Sequence, residues 1–266
     1  MMKNSILFLI IFIFSIFTCG CNSNIDSGDA LSHAKLMNKI TVGVKSDSKP
    51  FGFIDKKGDL QGFDVDIAHQ IAKHILGDEN AVDFVIVTPQ SRIFDLNSKK
   101  IDMIIAIMSV NESRASVVDF SQPYFVAGQA IMVLKNSKVS SPVDLNGKNV
   151  GFVLATTGER TVRYLIPNAG LRATKTYPEL FELLKKGEVE AIFADDSILY
   201  GFAMADKNVK ILPKRYTREY YAVAMRKNEE SKALKAAVDE ALECMHSRGV
   251  INRIKEKWLP LLHSQS

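Results

Sequence analysis

The chain has 266 residues, 47% of them hydrophobic and 24% charged, a globular balance with enough chain for one large domain or two smaller ones. Its formal charge of +4 is scattered, and Lys99-Lys100 and Lys185-Lys186 are short pairs rather than a basic stripe. That pattern argues against a nucleic-acid partner.

The amino terminus opens with Met1-Met2-Lys3-Asn4, followed by an apolar run over residues 6–17. The run is short for a membrane span and reads as an export signal ending at residue 20, with an uncleaved anchor as the alternative. The sequence "TCGC" resembles a bacterial lipobox, although Thr18 stands where a leucine-like residue is usual. The resemblance implies a mature chain that starts at Cys21 with a lipid on its sulfur, tethering an otherwise soluble protein to a membrane surface. Residues 21–37 are then expected to form the lipidated tether, its polar start suiting a flexible chain. Cys19 would leave with the signal and Cys21 would be acylated, so Cys244 remains without a disulfide partner. Cys244 shares an apolar helical face with Ala237, Ala241 and Met245, and reads as a small core residue.

Short apolar runs then alternate with helical patterns. Residues 40–44 read as a strand. Ile67, Ala68, Ile71, Ala72 and Ile75 give helical spacing over 64–76. Residues 84–87 are a strand, 91–99 a helix and 103–107 a strand. A second series follows, with strands at 130–134 and 149–153, helices at 157–165 and 178–186, a strand at 189–194, a helix at 197–205 and a strand at 209–212. A strand at 221–225, an amphipathic helix at 230–246 and a short helix around Ile251, Ile254 and Trp258 complete the chain, with Gly249 as the stop between the two helices. Such alternation predicts an α/β protein with two lobes, each a mixed, mainly parallel sheet flanked by helices. Residues 38–126 and 222–266 are assigned to lobe 1 and 127–221 to lobe 2, with two crossings forming a hinge. Two sheets whose strand ends face each other make a cleft.

Three strand ends carry polar residues. After 103–107 come Ser109 and Asn111-Glu112-Ser113-Arg114. Asn111 can cap a helix starting at Glu112, free N–H groups there attract an anion, and the Arg114 guanidinium can grip a carboxylate through two parallel hydrogen bonds. A surface arginine paired with Glu112 or Asp119 reads equally well. After 149–153, Thr156 and Glu159 fit a capping box around Thr157, and an ordinary helix cap explains them too. After 189–194, Asp195 and Asp196 could hold an ammonium group or merely start the next helix.

At this point the segments "LQGFDVDIAHQIAKHILG", "IDMIIAIMSVNESRASVVDFSQPYF", "DLNGKNVGFVLATTGE" and "VEAIFADDSILYGF" resemble the bacterial extracellular amino-acid-binding proteins of ABC importers. The resemblance runs from about Ile40 to Trp258 and is nearest in pattern to glutamate- and aspartate-binding members. It implies a periplasmic-binding-protein-like clamp in which Arg114 clasps the ligand α-carboxylate, Ser109 and the Thr157 region assist, and Asp195 takes the α-ammonium. Family members often read Thr-Pro-Glu-Arg where this chain has Asn111-Glu112-Ser113-Arg114, which keeps only the arginine. The resemblance further implies a monomer outside the cytoplasm that delivers its ligand to a membrane permease driven by an ATPase.

For the ligand side chain, Lys45 stands where binders of cationic amino acids resemble an aspartate, and Arg92 stands where acidic-ligand binders place an arginine. Two cations in one pocket suit a second carboxylate, because an unmatched buried charge is expensive. Glutamate or aspartate is therefore expected, with glutamine or another polar amino acid as the alternative. Lys45 and Arg92 could instead face water or pair with Asp47, Asp55 or Asp95. A same-fold dehydratase acting on a cyclic carboxylate is the rival enzymatic reading. No His pair has metal-ligand spacing and no glycine pattern makes a phosphate loop, so neither a metal nor a cofactor is expected.

Overall fold

The computed structural model describes residues 28–260; the signal at 1–20 and the lipid site at Cys21 lie outside them. The described part opens with α1 (Ala30–Met37), β1 (Ile40–Val44), β2 (Asp47–Ser48), β3 (Gly52–Ile54), β4 (Leu60–Gln61), α2 (Phe63–Leu76), β5 (Val82–Ile86), α3 (Arg92–Asn97), β6 (Met103–Ile104), α4 (Glu112–Ala115) and β7 (Val118–Ala127). There follow β8 (Gln129–Leu134), β9 (Asn149–Val153), α5 (Thr157–Leu165), β10 (Gly170–Thr174), α6 (Tyr177–Lys185), β11 (Ala191–Asp195), α7 (Asp196–Ala205) and β12 (Val209–Ile211). The described part closes with β13 (Glu219–Arg226), α8 (Lys232–Ser247) and α9 (Val250–Trp258).

Two five-stranded sheets result, in the orders β5-β1-β6-β13-β7 and β10-β9-β11-β8-β12. In each, four strands run one way and one runs against them, β13 in the first and β8 in the second. Strands such as β8 and β11 are buried nearly throughout, as strands covered by helices on both faces must be. A small antiparallel sheet, β2-β3-β4, sits beside the first large one.

β7 and β13 pair antiparallel from Val118↔Arg226 to Ala127↔Glu219 and carry the chain between the lobes. The second crossing starts at Glu219, inside the stretch 219–222 read from the sequence as a crossing. Phe125 and Tyr221 stack on this pair with ring centroids 5.5 Å apart.

Two expectations change. The tether drawn to residue 37 ends in a helix, because Asp29 caps α1 by accepting the Ser32 N–H at 3.0 Å and Ala34 is buried in the core shared with α8. The strand expected over 103–107 stops at Ile104, because Ile107 takes the left-handed conformation, φ +52.

Candidate functional site

The strand ends of the two sheets face one another, and the six residues singled out from sequence all meet there. Lys45, Arg92, Ser109, Arg114, Thr157 and Asp195 line one cavity, together with Pro89, Ala106, Ile107, Thr156 and Tyr177. The lobes are in contact around it, leaving about 10 Å³, room for roughly one water molecule. Anything the size of an amino acid enters only when the lobes part. Hydrogen bonds that cross the gap include Gln90 Nε2 donating to Leu154 O at 3.1 Å and Arg114 Nη2 donating to Ala155 O at 3.3 Å.

Arg114 is positioned by its own helix start. The Asn111 side chain accepts the Arg114 N–H at 2.9 Å and caps α4. Arg114 Nη1 donates to Ser109 O at 2.7 Å, which turns the guanidinium back over the end of the preceding segment. Burial draws its pKa down, and Asp195 opposes that shift.

Asp195 ends β11 and precedes α7, yet its carboxylate does not cap the helix. Its Oδ2 accepts the Tyr221 hydroxyl at 2.5 Å. Burial first, and then the charge of Glu219, push its pKa up to about 7. Asp196 instead forms the structural contacts, with Arg215 Nε at 2.6 Å and the Gly128 N–H at 3.1 Å.

The capping box expected at Thr156 and Glu159 is not formed. Thr156 Oγ1 donates to Val153 O at 2.7 Å, and Glu159 pairs with Arg163 at 3.1 Å. Thr157 is tied down by Gln129 Nε2, which donates to its hydroxyl at 2.8 Å, and by Glu219 Oε2, which accepts from it at 2.9 Å. Glu219 lies at the start of β13, so the hinge strand itself brings an acid to the cleft.

The two cations expected to share a ligand carboxylate have different surroundings. Lys45 Nζ lies 3.0 Å from Asp47 Oδ1, with the lysine side chain 3% exposed. Burial lowers its pKa while Asp47 raises it. Arg92 donates through Nη1 to the carbonyls of Ala106 (2.7 Å) and Ile107 (3.4 Å), and its buried Nε has no partner among the described residues. Burial, followed by the charge of Arg114, brings Arg92 down to about 9, still charged at neutral pH.

Sequence reasoning missed Glu219, Tyr177, Tyr221 and Asp64 as cavity or supporting residues. The only signal for Asp64 was its place in the "GFDVD" segment. Left-handed backbone at Ile107 (φ +52) and Ala155 (φ +60) marks the two lips of the cavity. A β-branched residue there costs about 1–3 kcal/mol and persists only where its surroundings enforce it.

The profile of bacterial extracellular solute-binding proteins, family 3, matches residues 40–261. The chain belongs to this family. The glutamine-binding protein GlnH of an ABC transporter from Bacillus subtilis is 40% identical over 233 residues, covering 87% of this chain and 85% of GlnH. A glutamine-binding protein from Geobacillus stearothermophilus is 37% identical, covering 76% and 78% respectively. An ancestral arginine-binding protein solved with glutamine bound superposes with a TM-score of 0.77 at 37% identity, over 84% of this chain and 98% of that one. This family 3 protein is an amino-acid-binding solute receptor.

Proposed function

We propose that this protein is an extracytoplasmic receptor for glutamine that hands its ligand to an ABC transporter. The observation that carries this reading is the Lys45–Asp47 pair at 3.0 Å, which gives Lys45 an acid of its own. Arg114 faces Asp195 and Glu219, and the charge of Asp195 also acts on Arg92. Each cation at the cavity thus has an acid nearby. A zwitterion with a neutral side chain leaves this balance intact, whereas a second ligand carboxylate adds an unmatched charge. Two relatives named for glutamine and a neighbour solved with it support the same ligand. This replaces the acidic ligand expected from the two cations alone.

In this reading Arg114 and Ser109 hold the α-carboxylate from lobe 1. Thr157 and Asp195 close on the ligand from lobe 2, with Asp195 taking the α-ammonium, while Arg92 and Lys45 face the side-chain end. The closed state is favoured because only there are both lobes in contact with the ligand. No covalent step is involved. A second reading, glutamate, is favoured by the presence of Lys45 and Arg92 together in the cavity lining.

Calorimetry with glutamine, glutamate, aspartate, arginine and prephenate separates these readings. Micromolar glutamine binding corresponds to about −8 kcal/mol and is the expected result, with ligand recovered intact. Tighter glutamate binding would select the second reading, and turnover of prephenate would replace the receptor by an enzyme. The anchor is tested separately. Cys21→Ala should release the protein from membranes as a monomer, and retention of the variant in the membrane fraction would remove the lipid from Cys21.

A further inference from the structure

Asp64 stands at the start of α2 and is fully buried, 0% exposed. It contributes nothing to the cavity lining, yet a buried carboxylate is costly to keep. Burial raises its pKa to about 7. Both of its oxygens have partners: Oδ2 accepts the Ile107 N–H at 2.9 Å, and Oδ1 accepts the Tyr124 hydroxyl at 2.9 Å.

Ile107 is the residue held with φ +52, a conformation an isoleucine abandons unless something fixes its backbone. The carbonyls of this same turn, Ala106 and Ile107, are the acceptors of Arg92 Nη1. The Arg92 side chain is held by these two carbonyls, and its Nε is unpartnered among the described residues. The chain of contacts therefore runs from Asp64 to the Ile107 N–H, through the turn carbonyls, to a guanidinium at the cavity wall.

We propose that Asp64 is a positioning residue for ligand binding, one that holds Ile107 in its left-handed conformation and thereby aims Arg92 and the 106–107 carbonyls at the ligand. The inference rests on the reading of this cavity as the amino-acid site. Loss of the acceptor lets Ile107 relax to negative φ, which rotates both carbonyls and leaves Arg92 without fixed partners.

A double-mutant cycle tests it, with glutamine and glutamate titrated into each variant. Asp64→Ala should weaken binding by about tenfold to a hundredfold. Asp64→Asn keeps an oxygen for the Ile107 N–H and should stay within about threefold of the parent protein. Glycine reaches φ +52 without strain, so in the Ile107→Gly background Asp64→Ala should cost less than about threefold. An equal loss in both backgrounds would overturn the proposal, because a merely structural aspartate does not care which residue occupies 107. A crystal structure of Asp64→Ala gives a readout that needs no ligand: negative φ at Ile107 supports the role, and φ near +52 refutes it. If the unmodified protein binds neither amino acid, the ligand assignment fails, and the φ at 107 still decides the role of Asp64.

Discussion

Gly201 leaves room for a close approach between the lobes. It lies on α7 in lobe 2, and a Cβ built there would sit 2.1 Å from the Lys49 carbonyl oxygen and 3.3 Å from Pro50 Cδ in lobe 1. Real Cβ contacts essentially never fall below 3.0 Å, so Gly201→Ala forces a retreat of about 0.9 Å between backbone segments. Neither segment is the free end of a side chain, so the cheapest response is for the lobes to stay apart. The same opening, carried across the cleft, lengthens the Gln90–Leu154 bond from 3.1 Å and the Arg114–Ala155 bond from 3.3 Å, and both then leave hydrogen-bonding range. Each such bond contributes about 0.5–1.5 kcal/mol net, so a liganded closed state that keeps both would lose roughly 1–3 kcal/mol, or about 5- to 150-fold in affinity. The ligand still meets the open lobes, so stopped-flow binding should place the loss in the dissociation rate. Glycine to alanine at a helical position should otherwise stabilise the helix slightly. A Gly201→Ala variant that binds with unchanged affinity and dissociation rate would show that the lobes do not close on this contact.

Two further predictions concern the charged groups. Arg114→Ala removes the guanidinium, and charge-assisted hydrogen bonds of this kind contribute about 1.5–3 kcal/mol each; with two such bonds to a carboxylate, calorimetry should show a loss of at least about a hundredfold for every amino acid alike. Asp195 has its pKa raised from 3.8 to about 7, so between those values the folded, ligand-free protein holds a proton that the unfolded chain has lost. Stability of the ligand-free protein should therefore fall as pH rises from 4 toward 7, while binding, under the proposed ammonium-holding role of the Asp195 carboxylate, should weaken by up to about tenfold per pH unit below 7. Asp195→Asn should raise the unfolding temperature of the ligand-free protein at pH 8 and abolish glutamine binding. A flat affinity profile between pH 5 and 8 would remove Asp195 from the ammonium site.

What could be read from the sequence was whatever depends on neighbours along the chain. The helical spacing from Ile67 to Ile75 and the apolar runs at 40–44 and 149–153 placed elements nearly where they stand, because burial of one face or two is written into those patterns. The polar residues beyond the strand ends located the cavity, since a strand end leads there whatever the rest of the fold does. Missing were the two- and three-residue strands β2, β3 and β4, β10, with exposed residues that show no apolar run, and β7, whose "VDFSQPYFVA" carries a proline and three polar residues through a strand paired along one edge only.

The charge state of the site was hidden for a different reason. Lys45 and Asp47 are two residues apart, and on an ideal extended strand that spacing would put both on one face, but so would the spacing of many unpaired lysines. Whether the ammonium turns to Asp47 or to a ligand depends on how the segment between β1 and β2 bends, which no local pattern encodes. The same holds for Glu219 and Asp64, acids that meet the cavity or its supports only because the hinge strand and α2 converge there. Counting cations in a motif thus overstates the positive charge a ligand meets; the acids that the fold brings beside them decide the sign. Under the proposed reading, specificity is accordingly a property of groups spread over four segments, and a sequence comparison that scores Lys45 singly misses the Asp47 that already pairs with it.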